Sequence, residues 1–104
     1  MIKIIVEKKE DKISRLTVTG HALFANRGKD IVCAGVSTVI IGGINAISEF
    51  GLIDYCEYTV EEGYVDMLIK DCLHTELQVI LETLHIQLKT IEESYFDYIS
   101  IQEV

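Results

Sequence analysis

Proline and tryptophan are absent from the 104 residues, and basic side chains are scarce. Without proline, and with no serine- or glycine-rich run, the chain offers no linker at which to divide it, so one domain with a single modest core is expected. No internal repeat or low-complexity tract suggests otherwise. Lysine and arginine number 9 against 17 aspartates and glutamates, a net charge of −8. That balance argues against direct nucleic-acid binding, which requires a basic face. Acidic surfaces mostly serve solubility, although they also attract basic peptides. The three cysteines include no C-x-x-C pair, so neither a disulfide framework nor a zinc ribbon is expected. The opening M-I-K-I-I-V-E-K turns charged too soon for a secretory signal, and a reducing cytoplasm is the expected compartment.

What is present is periodic. Ile2, Ile4 and Val6 alternate along a first strand from residue 2 to 8, and Leu16 and Val18 along a second from 13 to 19, with the polar turn Lys9 to Lys12 between them. Residues 31 to 50 are apolar on nearly every helical face. The length approaches that of a membrane span, but Ser37, Thr38, Asn45 and Ser48 interrupt it and strands flank it, so a buried helix is preferred. Gly42 and Gly43 each cost a helix about 1 kcal/mol relative to alanine, which close helix contact would offset. A second hairpin follows, residues 54 to 61 and 65 to 69 around Glu62-Gly63, with Cys56, Tyr58 and Val60 on its apolar side. Leu77, Ile80, Leu81, Leu84, Leu88, Ile91 and Tyr95 then mark a helix over residues 75 to 95, and residues 97 to 104 a last strand. The order strand-strand-helix-strand-strand-helix-strand implies a two-layer α+β domain with a largely antiparallel sheet.

The chemistry concentrates between Gly20 and Cys33. His21 ends the second strand, and Cys33 stands in the first turn of the helix that follows Asp30. With Asp30 as N-cap, Cys33 occupies N3, where unpaired N–H groups and the positive helix end favour a thiolate. The loop between is short enough to bring the imidazole back to the sulfur. A thiol–imidazole pair is one reading; a small core cysteine and an ordinary loop histidine is the other. Residue types and spacing leave both open.

The segment T-G-H-A at residues 19 to 22, with G-K-D-I-V-C-A-G-V-S at residues 28 to 37, resembles the ribosomal-processing cysteine protease family known as Prp. The similarity extends over the whole chain in length, element order and acidic C-terminal half. Gly35 departs from the alanine expected there, a difference that bears on helix packing. The resemblance implies a single protease domain, residues 1 to 104, in which His21 and Cys33 form a catalytic dyad. Cys33 would be the nucleophile and His21 the acid–base group, with N–H groups at the helix start receiving the oxyanion. Asp30 and Ser37 are supporting candidates: Asp30 either orients His21 or only caps the helix, and Ser37 lies one turn after Cys33 on the same face.

The family's substrate is the bacterial large-subunit ribosomal protein numbered twenty-seven, whose short N-terminal extension is removed after paired aromatic residues. The implied partner is that basic precursor, with no membrane and no cofactor. Phe24 and the tyrosines are candidates for an apolar substrate pocket. Two rivals stand beside this reading: a non-catalytic ribosome-associated binding module, and a thiol redox protein using Cys33, which lacks a nearby resolving cysteine. Metal binding through Cys72 and His74 is disfavoured because C-x-H is not a usual chelating spacing, and His74 and His85 are read as structural or surface residues. The helix that is apolar all round points to a homodimer.

Overall fold

The computed structural model describes residues 1–23, 25, 26 and 28–104; Phe24 and Arg27 lie outside the described residues. Its elements run β1 (Ile2–Lys9), β2 (Lys12–Thr19), α1 (Ile31–Glu49), β3 (Cys56–Glu61), β4 (Tyr64–Ile69), α2 (Thr75–Tyr95) and β5 (Ile99–Glu103). The strands form one sheet in the order β3-β4-β2-β1-β5. All neighbours are antiparallel except β1 and β5, which run parallel across the α2 crossover. The expected α+β architecture is the observed one.

Period-two patterning sends Ile2, Ile4 and Val6 of β1, and Leu16 and Val18 of β2, to the buried face. A register shift opposite Glu7 and Lys8 adds Ser14 to β2, and its hydroxyl donates to the Glu7 carbonyl. This bulge turns Ile13 inward as well, out of strict alternation. Ile13 there needs a substitute partner, and Gln78 of α2 supplies it. The buried amide accepts from the Ile13 N–H at 2.8 Å and donates to the Ile13 carbonyl at 2.9 Å.

Both helices lie against this face. Val32, Val36, Ile40, Ile44 and Ile47 of α1, and Leu77, Leu81, Leu84 and Leu88 of α2, are buried, each a contribution of about 1.5–3 kcal/mol. Gly43 admits Leu84: a Cβ there would lie 2.5 Å from a leucine methyl carbon, so the glycine's helix cost is offset by close packing. Gly42 differs from expectation, because nothing lies within 4 Å of its Cβ position. At Gly35 a Cβ would meet Ile91 at 3.6 Å, an ordinary contact, so alanine would fit.

The second hairpin departs from its sequence pattern at two places. Residues 53–55 form a 3-10 turn rather than the start of β3, because the chain turns back after Gly51 (φ +73°) before it pairs. Cys56 is buried as expected, but Tyr58 and Val60, on the same side of β3, are 49% and 46% exposed. Their face points inward, yet beyond Cys56 neither helix covers this edge strand. An open trench results.

Candidate active site

The trench ends where β2 meets the β3–β4 turn. Gly20 has φ +90°, and a Cβ there would lie 2.5 Å from the Met1 carbonyl oxygen, so only glycine fits. Its N–H donates to the Gly63 carbonyl at 2.9 Å and ties the end of β2 to the turn. Gly63, with φ +70°, has the exposed His21 ring against it: a Cβ at Gly63 would stand 2.8 Å from His21 Nε2.

On the helix side Asp30 adopts an extended backbone and caps α1. One carboxylate oxygen accepts from the N–H groups of Val32 (3.1 Å) and Cys33 (2.9 Å), and the Asp30 carbonyl accepts from Ala34 at 3.0 Å. Cys33 is therefore at N3, as expected. Contrary to expectation, the N–H groups of Val32 and Cys33 are not open to an oxyanion, because the cap already holds them. The donor that does reach the sulfur comes from the loop: the Ala22 N–H meets Cys33 Sγ at 3.3 Å. This contact brings the residue beside His21 onto Cys33. Sequence reasoning had no signal for it.

Two clefts meet here. One, of about 560 Å³, lies between α1 and the open hairpin, with Val18, Val36, Ile40, Val60 and Val65 among its walls. The other, of about 500 Å³, is bordered by Leu23, Ala25, Gly28, Asp30 and Ala34. His21, Cys33, Ser37 and Glu62 border both. Ser37 is exposed where it borders the junction, whereas the neighbouring Thr38 back-bonds to the Ala34 carbonyl. Leu23, 78% exposed, holds φ +58°, a left-handed backbone that costs a leucine about 1–2 kcal/mol.

The remaining histidines and cysteines border neither cleft. Burial pushes the Cys56 thiol up to about 11, with Lys70 opposing. Cys72 donates weakly to the Ile69 carbonyl, and His74 precedes α2 with its ring 4.7 Å from that of Tyr55. His85 is fully buried, the structural one of its two readings, because it continues the Leu77–Leu81–Leu84–Leu88 face of α2. Among the described residues no cluster of three or more histidine, cysteine or acidic side chains is arranged for a metal ion.

A sequence model of the cysteine protease Prp family matches residues 1–100. The chain belongs to that family. Among curated relatives, the ribosomal processing cysteine protease Prp of Bacillus subtilis is 33% identical, over 97% of this chain and 96% of its own. The Prp of Mycoplasma genitalium is 37% identical, over 99% and 96%. A crystal structure of the essential Prp of S. aureus, in complex with a covalently linked product peptide, superposes with a TM-score of 0.92 at 33% identity, covering both chains entirely. A second structure of the S. aureus Prp, with a substrate peptide, gives 0.86 at 31% identity, again over both chains. Prp membership accounts for the α+β fold and for the cysteine-protease character of the chain.

Proposed function

We propose that this chain is a cysteine endopeptidase that removes the short N-terminal extension of large-subunit ribosomal protein number twenty-seven and so supports ribosome assembly. Cys33 is the nucleophile and His21 the acid–base partner. The observation that carries the reading is the Ala22 N–H on the Cys33 sulfur at the junction of two clefts.

His21 takes the thiol proton, and the thiolate attacks the scissile carbonyl to give a tetrahedral oxyanion. Collapse breaks the C–N bond as the imidazolium gives its proton to the departing amine. Water, deprotonated by the same imidazole, then releases the acyl group and restores the thiol. Asp30 holds the helix start, and so the sulfur, in place. Ser37 is positioned to meet the peptide at the junction.

The apolar cleft suits the paired aromatic side chains that precede the cut, with Val60 and the partly covered Tyr64 at its edge. The second cleft receives the residues that follow. The net charge of −8 favours a basic precursor, and enzyme and substrate meet in the cytoplasm as a protein–protein encounter without direct nucleic-acid contact. Exposed Ile31 and Phe50 at the two ends of α1, and Val79 and Ile86 on α2, support a homodimer, against which a monomer in sedimentation at micromolar concentration would count.

The test is a peptide spanning the junction of that ribosomal protein, incubated with purified protein. Cleavage after the paired aromatics that disappears in both Cys33→Ala and His21→Ala is the expected result. Tight binding of an intact peptide would instead indicate a non-catalytic module.

A further inference from the structure

We propose that Gly63 is a positioning residue for this reaction: its bare Cα, in the turn of the β3–β4 hairpin, is the seat on which the His21 imidazole rests. Three observations converge on it. A Cβ at Gly63 would stand 2.8 Å from Nε2, 3.3 Å from Cε1 and 3.5 Å from Cδ2 of His21, so it would strike the ring at its Nε2 corner and force it away. The Gly63 carbonyl accepts from the Gly20 N–H at 2.9 Å, which locks the residue before His21 to the same turn. Gly20 is itself pinned against the Met1 carbonyl, where no side chain fits.

The exposed imidazole is thus held from one side by the hairpin. Among the described hydrogen bonds none is made by its ring nitrogens, so shape confines the ring where polar bonds do not. The same turn, through Val60, Gly63 and Tyr64, walls the apolar cleft. The segment that receives the substrate therefore also sets the position of the acid–base group.

This role rests on the assignment of His21 as the acid–base partner, and the experiment separates the two. Gly63→Ala and Gly63→Asn are compared with wild type on a junction peptide and on a nitrophenyl ester of its N-terminal half. Asparagine tolerates the left-handed backbone that alanine resists, so it keeps the turn while still adding a Cβ. Gly51→Ala is the control: Gly51 has φ +73° but nothing within 4 Å of its Cβ position, so it shares the backbone strain and lacks the ring. A leaving amine requires a proton from the imidazolium, whereas nitrophenolate departs as an anion. Both Gly63 variants are expected to lose about 10²-fold in peptide kcat and no more than about tenfold in the burst rate of nitrophenolate release from the ester, which precedes the imidazole-assisted hydrolysis of the acyl enzyme. Gly51→Ala keeps both rates, and thermal melting establishes that each variant is folded. Wild-type peptide turnover in either Gly63 variant, or equal losses on peptide and ester, would overturn the proposal. A wild-type protein that cleaves neither substrate would overturn the dyad, and this role with it.

Discussion

The two hairpins of the sheet are built from similar alternating patterns and meet different fates. In β1–β2 the inward residues Ile2, Ile4, Val6, Ile13, Leu16 and Val18 are all buried under the helices. In β3–β4 the helices cover Met67 and Ile69 on the inner strand and Cys56 at the start of β3, while Tyr58 and Val60 on the same face of the edge strand stay open. The covered hairpin supplies stability. The open one walls the cleft at Cys33 and seats His21. An apolar strand face is thus core or open surface according to what lies above it, and the candidate site lies along the part left uncovered.

Substitutions in the two hairpins should separate these roles. The sulfur between them carries the largest effect: Cys33→Ala should lower peptide kcat by on the order of 10⁴-fold or more, with the melting temperature almost unchanged. In the covered hairpin, Leu16→Ala should cost about 2–5 kcal/mol of stability, measured by urea unfolding. Its turnover per folded molecule should stay near wild type. Val60→Asp in the open hairpin should do the reverse, raising KM for an aromatic junction peptide about tenfold while the unfolding midpoint hardly moves.

The smallest effect is one of pH, at the far end of the covered hairpin. There Lys8 pairs with Glu82 and Glu103, each at 3.2 Å, and the buried His85 lies beside both carboxylates. Burial holds the His85 imidazole below its ordinary value, aided by Lys89 and opposed by Glu103 and Glu82. The unfolded chain therefore binds the proton more readily than the folded one. Stability from this site is full above about pH 6.5 and declines as pH falls below it, toward the folded value. Thermal melts between pH 7.5 and about 5 should show that decline, and His85→Leu should flatten it.

Much of this organisation was legible in the sequence because it rests on local periodicity. The strands around Ile4 and Leu16 and the face of α2 are each written in neighbouring residues, as is the Asp30 cap. What escaped depends on contacts between distant segments. Nothing near Val60 in sequence says that α1 stops short of it, and nothing near Ile13 says that Gln78 will complete its backbone bonds. The buried place of His85 was obscured because histidine broke an otherwise aliphatic stripe. At the site, the positions of His21 and Cys33 followed from a strand end and a helix start. The Ala22 N–H on the sulfur and the bare Gly63 under the ring followed only from the closed loop and the folded hairpin.

The most direct measurement is covalent labelling with a junction-derived peptide carrying a chloromethyl ketone after its two aromatic residues, read by mass mapping of all three cysteines. One adduct at Cys33, with Cys56 and Cys72 unmodified and labelling strongly slowed in His21→Ala, is the expected result. Modification spread over the three thiols, or a Cys33 rate indifferent to His21, would contradict the assignment of this junction as the place where peptide bonds are cut.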